Sequence, residues 1–455
     1  MNAGDIGARL DRLPATRSVW RLVALLSFGG FFEFYDLFLT GYVAPGLVRD
    51  QILTSTTPGL FGTSGVAGFV AALFAGLFVG TLLFGFVADR FGRRTIFTMS
   101  LLWYAAASAI MAFQSDAFTL NLFRFIAGIG IGVELVTIDT YISELVPKAL
   151  RGRAFAINQT IQFAVVPVVA FLAYLLVPTA PFGVSGWRFV VWIGSLSAVI
   201  VWFIRREVPE SPRWLASHGQ LAEADRVVSA LEARVAAEHG QSLPPPGPAE
   251  IVIPRGSLAE AFRRPYLSRT VMLVIFNVFQ TVGFYGFANW VPTLLIKQGI
   301  TTTSSLLYTF IIALASPVGP LVAALVADKW ERKWLIVAAA AVIAVFGLLF
   351  SQVTNPIELI VCGVMLTMAS NIMSFSFHAY QAELYPTRIR AVAVGFVYSF
   401  SRISAVFSAF MIAFFLNEFG TLGVFTFIAG SMVMVMLAIA TGPRVNNRPL
   451  EEISR

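Results

Sequence analysis

Gly85-Phe-Val-Ala-Asp89-Arg90-Phe-Gly92-Arg93-Arg94 reads like Ala324-Leu-Val-Ala-Asp328-Lys329-Trp-Glu331-Arg332-Lys333, and the two stretches lie 239 residues apart. A second pair has the same offset: Glu144-Leu-Val-Pro147-Lys-Ala-Leu-Arg151 and Glu383-Leu-Tyr-Pro386-Thr-Arg-Ile-Arg390. Two unrelated motifs sharing one offset make the chain a duplicated unit, so one half can be read twice.

What is duplicated follows from composition. Of 455 residues 57% are hydrophobic and 13% charged, about half the charge that a water-soluble surface needs. Apolar runs of about 20 residues recur, each long enough to cross a hydrocarbon core of about 30 Å. The first six lie near 20–44, 64–88, 95–113, 118–143, 153–177 and 187–206. The second six lie near 269–294, 303–327, 333–352, 357–383, 390–415 and 420–442. This predicts an all-α polytopic membrane protein with twelve transmembrane helices, in two six-helix pseudo-symmetric bundles over 20–206 and 269–442. Residues 1–19 and 443–455 read as tails. The stretch 207–268 reads as a polar linker with surface helices, because Leu221, Ala224, Val228, Leu231 and Val235 recur at helical spacing. The first tail carries Arg9, Arg12, Arg17 and Arg21 without a short apolar stretch and small-residue cleavage site, so it does not read as a signal peptide.

A net charge of +7 raises the question of nucleic acid, and placement answers it. Of 32 Lys and Arg residues, 27 fall in the tails and in every second loop. That asymmetry predicts cytoplasmic termini and removes the need for a nucleic-acid partner. Cys362 is the only cysteine and lies in a span, and no nucleophile–base or metal-ligand pattern is present. No enzyme activity, cofactor or metal is expected.

At these residues the chain resembles the major facilitator superfamily. Gly85 to Arg94 is similar to its loop between helices 2 and 3. Here Gly85 and Gly92 permit close approach, and Asp89, Arg90, Arg93 and Arg94 can pair with acids such as Glu144. Arg151, and in the second half Asp328, Arg332, Glu383 and Arg390, complete the expected cytoplasmic gate. Arg124-Phe-Ile-Ala-Gly128-Ile-Gly130-Ile-Gly132 and Pro209-Glu210-Ser211-Pro212-Arg213-Trp214 resemble the sugar-porter and organic-ion branches. The glycines suit close helix packing, since no strand precedes them to make a nucleotide site. The sugar-branch pattern then fails at Ser374, Phe375 and His378 and again at Tyr285. Gly283-Phe-Tyr-Gly-Phe-Ala-Asn-Trp290-Val-Pro292 instead resembles aromatic-acid and nicotinate carriers, and Ser401-Arg402-Ile-Ser resembles organic-ion carriers.

Ionisable residues inside a span are costly and invite a function. Glu33 and Asp36 sit one turn apart in span 1. The resemblance makes Asp36 a proton-coupling acid with Arg124 as its partner; Glu33 and Glu134 are added as further proton-coupling candidates. Pairing favours the charged form of Asp36 and separation into an apolar site favours the protonated form. Arg402 offers a planar fork for a carboxylate, or else a structural partner for Glu134 or Asp139. His378 stands at the repeat position of Asp139. Gln159, Gln162, Gln280, Tyr285, Asn289, Trp290 and Asn371 supply the remaining polar and aromatic groups expected of a substrate pocket.

The expectation is a proton-coupled symporter of a small organic acid, aromatic or monocarboxylate, working by alternating access as a monomer in the lipid bilayer of a bacterial inner membrane. Its partners are that acid and protons. A proton-linked sugar carrier, a proton-driven exporter and a membrane sensor are the alternatives.

Overall fold

Spans 2 and 4 touch backbone to backbone. A Cβ placed on Gly128 would lie 2.4 Å from the Leu73 carbonyl oxygen, and one on Gly132 2.3 Å from that of Leu77. Gly76 and Gly80 answer from span 2 at 2.1 Å from the carbonyl oxygens of Phe125 and Ile129. Glycines spaced four apart let two helices approach as lipid-facing side chains could not.

The computed structural model describes residues 3–84, 90–248, 256–326 and 329–446. Span 1 is Arg17–Arg49, span 2 Gly65–Phe84, span 3 Arg93–Met111, span 4 Ala117–Leu145 and span 5 Arg151–Leu176. Span 6 is broken at Leu196 into Gly186–Ser195 and Ser197–Glu207. Span 7 runs Tyr266–Ala288 and resumes as Val291–Lys297; span 8 is split around Pro317 into Thr302–Ala313 and Val318–Val326. Proline removes a donor and clashes with the preceding turn, which accounts for that second break. Span 9 is Arg332–Phe350 and span 10 Pro356–Glu383. Spans 11 and 12 form one run, Thr387–Ala440, bent at Gly420, whose φ of 65° suits glycine. Asp116, Thr301 and Asn355 cap spans 4, 8 and 10 by accepting from Thr119, Ser304 and Ile357 amides.

Each half buries its own apolar core. Their seam lies away from the face that carries the termini and linker, hereafter the terminal face. Phe171 meets Phe310 at 5.2 Å, Phe284 meets Phe38 and Phe163, and a Cβ on Gly41 would sit 2.4 Å from the Asn289 carbonyl oxygen. The halves are thus shut on the far face.

The stretch 1–19 read as a tail carries structure of its own. Ala3–Asp11 is helical and docks on the linker helix Leu221–His239. Arg9 pairs with Asp225 at 2.5 Å and Glu232 at 2.7 Å, and Arg12 with Glu232 at 2.7 Å. Ala224, Val228, Leu231 and Val235 are buried beneath it. Apolar spacing reveals the linker helix, but a nine-residue partner held by charges gives too little periodicity to find.

Candidate functional site

Asp36 is occupied on both oxygens. Arg124 Nη1 donates to Oδ2 at 2.8 Å, and Ser108 Oγ donates to Oδ1 at 2.8 Å. Arg124 Nη2 also donates to the Asp36 carbonyl and to Thr40 Oγ1, and its guanidinium lies 5.5 Å from the Phe69 ring. The predicted pair therefore exists as a buried clamp inside the first half, joining spans 1, 3 and 4. Ser108 and Thr40 escaped the sequence reading because a lone hydroxyl in a span carries no periodic signal.

Glu33 faces elsewhere. It is fully buried, as is Glu134, and no carboxylate oxygen of either has a hydrogen-bond partner among the described residues. Gly29, one turn before Glu33, lies against Glu134: a Cβ there would lie 3.3 Å from Glu134 Oε1 and 2.4 Å from the Phe97 ring. Gln162 of span 5 lies over Gly30 in the same way, at 2.4 Å.

Arg402 projects from span 11 and is 3% exposed. Nη1 donates to the Tyr285 hydroxyl at 3.2 Å and Nη2 to the Tyr398 hydroxyl at 3.1 Å. It forms no ion pair among the described residues, so the expected alternative pairing with Glu134 or Asp139 is not made. Tyr285 also packs on Phe74 of the first half at 4.6 Å, which sets the guanidinium at the seam. Tyr398 was missed by the sequence reading, although its place one turn before Arg402 could have pointed to it. His378 rests against Tyr398 with rings 5.4 Å apart, and its Nδ1 bonds the Ser374 carbonyl at 2.7 Å. His378 and Asp139 are reached by solvent although they lie deep in spans 10 and 4.

The remaining pocket residues divide. Asn371 donates to the Ser316 carbonyl at 3.0 Å and, with Thr309, Ser370 and Phe284, borders a cavity of about 40 Å³ between the halves. That is room for about one or two waters. Gln159 is half-buried on span 5. Gln280 donates to Thr281 at 3.1 Å, and Trp290 packs in the core of the second half. Asn289 is fully buried with both side-chain polar atoms unpartnered among the described residues, and its backbone helps to close the far face.

On the terminal face, Arg93 pairs with Glu144 at 3.0 Å and Arg332 with Glu383 at 2.5 Å. Arg151 Nε bonds the Val146 carbonyl and Arg390 Nε the Tyr385 carbonyl, both at 3.3 Å. Gly92 has φ 92°, and a Cβ there would strike Glu210 Oε2 at 2.4 Å. Glu210 accepts from the Arg93 and Arg94 amides at 2.9 and 3.2 Å, capping span 3. Burial pushes the Glu210 carboxyl up, and the amide bonds only partly offset it. Arg90 is exposed over Phe91. Gly85, Asp89 and Asp328 lie outside the described residues.

Two six-helix halves around a buried, seam-facing charge have the architecture of a multi-pass membrane transporter. The family described as "Sugar (and other) transporter" matches residues 22–455, and the chain belongs to it. The protein is therefore a major facilitator transporter and not an enzyme. It is 31% identical to the Bacillus subtilis protein YyaJ, named for metabolite transport, over 97% of this chain and 96% of that one. It is 28% identical to the niacin transporter NiaP of Acinetobacter baylyi, over 88% of each chain. Among solved structures it superposes on the Escherichia coli xylose transporter XylE with TM-score 0.74 and 20% identity, covering 95% of this chain and 99% of that one.

Proposed function

We propose that the protein is a proton-coupled symporter of a small organic acid, aromatic or monocarboxylate, in the inner membrane of a bacterium, with both termini cytoplasmic. One observation carries the substrate class: Arg402 is a buried, permanently charged fork whose hydrogen bonds go to two neutral hydroxyls. A carboxylate landing there would find a bidentate partner without displacing an acid. Tyr285, Tyr398 and His378 offer ring faces beside it, suited to a flat apolar body. NiaP, a relative named for niacin, supports the same class.

A sugar carrier is the second reading, favoured by the family's description and the likeness to XylE. The unfolding temperature of the purified protein separates the two, because a ligand that binds only the folded state raises it. Nicotinate or benzoate is expected to raise it and xylose to leave it unchanged. The reverse result would replace the organic acid with a sugar.

A further inference from the structure

We propose that the groove between the start of span 1 and the linker helix Leu221–His239 binds one anionic phospholipid, its phosphate held between Arg21 and Arg234. The site is independent of which solute the protein carries.

The groove has a volume of about 470 Å³, against about 40 Å³ for the cavity at the seam. Span 1 lines it with Arg21, Leu22 and Leu25, and the linker helix with Leu231, Arg234 and Ala237. Arg21, Leu25 and Phe28 recur at i, i+4 and i+7, so they share one face of span 1. Phe28 is 47% exposed, which leaves that face open to acyl chains. The helical rise puts Phe28 about 10 Å deeper in the bilayer than Arg21. Lipid tails lying against Leu25 and Phe28 therefore bring a headgroup to the level of Arg21 and the groove.

Charge selects the headgroup. The groove also holds two acids, Glu207 and Glu238, and both are engaged. Glu238 accepts from the Ser18 amide at 3.0 Å and from the Ser18 hydroxyl, where the positive end of span 1 offsets its charge. Glu207 meets Arg21 at 3.2 Å, with the side chains 45% and 67% exposed, so that pairing contributes little and yields readily. Arg234 forms no ion pair or hydrogen bond among the described residues, although Glu238 stands one turn away on the same helix. One guanidinium is thus surplus beside an apolar wall. A phosphodiester can take the fork of Arg234 and a second donor pair from Arg21. The bound headgroup would bridge the membrane end of span 1 to the linker helix. Helix Ala3–Asp11 grips the other side of that linker helix, because Asp225 and Glu232 lie about half a turn round from Arg234. Lipid and N-terminal helix would hold it from opposite faces.

The test uses the purified full-length protein. Released from nanodiscs of mixed phosphatidylcholine and phosphatidylglycerol into a native mass spectrometer, each chain should retain one phosphatidylglycerol. The Arg21→Gln/Arg234→Gln double variant and the groove-filling Ala237→Trp should each hold it about tenfold more weakly. All three side chains are exposed, so unfolding temperatures should stay unchanged. Arg17→Gln, one turn outside the groove, should keep the lipid. Amides of the linker helix should be better protected in phosphatidylglycerol nanodiscs than in phosphatidylcholine ones, and the double variant should lose that difference. Equal retention by the double variant would overturn the proposal. So would an equal loss in Arg17→Gln, which would assign retention to diffuse attraction by the whole terminal face. Inorganic phosphate added to the protein in detergent should leave linker protection unchanged; protection by phosphate alone would replace the lipid with a soluble anion.

Discussion

Arg93 and Glu144 form an ion pair of 3.0 Å between the starts and ends of spans 3 and 4, and 239 residues on Arg332 and Glu383 repeat it at 2.5 Å. Each pair lies within one half, so each staples its own bundle at the terminal face instead of tying the halves together. With the Arg93 side chain 9% exposed and Glu144 17%, loss of one partner leaves a largely buried charge. Arg93→Ala or Glu144→Ala should cost about 1.5–3 kcal/mol. In a double-mutant cycle the two should couple by about 0.5–3 kcal/mol, with uptake slowed in both variants. Additive losses in unfolding temperature and unchanged uptake would reduce the motif to a topological signal.

The Asp36–Arg124 clamp makes a sharper statement about stability. Asp36→Asn leaves a fully buried guanidinium without its counter-charge, a change that costs about 3–5 kcal/mol in comparable pairs. Its unfolding temperature should fall well below that of the unmodified protein, and adding Arg124→Gln should restore part of the loss. Glu33→Gln and Glu134→Gln remove no hydrogen bond and should be close to neutral. Equal unfolding temperatures for Asp36→Asn and Glu33→Gln would show that the two acids are not differently held.

Helix Ala3–Asp11 should release from the linker in acid. Burial pushes the Glu232 carboxyl up, but hydrogen bonds from Arg9 and Arg12 outweigh it and hold it below its ordinary value. Asp225 is lowered by its hydrogen bond from Arg9. For acids lowered in the docked state, the contribution to docking is present above the ordinary carboxylate range, about pH 4. It is lost as pH falls through the lowered values. The protection of residues 3–11 against hydrogen exchange, relative to the intrinsic rate at each pH, should therefore be high at neutral pH and fall away below about pH 4. Arg9→Ala should make it low already at neutral pH. Protection independent of pH would mean that the apolar contacts of Ile6 and Leu10 hold the helix without the charges.

The repeat and the span pattern were legible because both depend on periodicity and composition, which survive in one dimension. So was the packing role of Gly128 and Gly132, where spacing alone forbids a side chain. The partners of Asp36 and Arg402 divide differently. Arg124 could be named by resemblance, but Tyr285 and Tyr398 meet Arg402 only after spans 7 and 11 fold side by side. The orphaned state of Glu33 and Glu134 is the least legible feature, since a missing hydrogen bond leaves no mark on the chain. Trp290 is legible only in part, because a tryptophan in a span serves a core as readily as a pocket.

Gly41 offers a way to move the conformational balance. Its bare backbone lets span 1 meet the Asn289 carbonyl on the far face, where a methyl group would lie at 2.4 Å. Gly41→Ala should part the halves there and favour the opposite state. Spin-label distances between spans 1 and 7 on the far face should lengthen. Unchanged distances would show that the aromatic seam of Phe38, Phe163 and Phe284 sets the closure alone.

The substrate charge can be tested at Arg402. A monoanion entering a cell with an inside-negative potential is opposed by ~2.3 kcal/mol per 100 mV. One accompanying proton removes that term, so uptake should follow the pH and substrate gradients and leave the membrane potential undisturbed. Arg402→Lys keeps the charge but loses the fork that now reaches both Tyr285 and Tyr398, so one of those hydroxyls is left without its donor. Acid binding should weaken by the worth of one charge-assisted bond, about 1.5–3 kcal/mol, or roughly ten- to a hundredfold in Kd. Arg402→Gln removes the charge as well. It should abolish uptake of benzoate or nicotinate by proteoliposomes loaded at higher internal pH, and it should also remove the proton uptake that accompanies acid binding. Full anion uptake by Arg402→Gln would assign the guanidinium to packing against Tyr398, 4.9 Å from its ring, and move the anion site elsewhere on the seam.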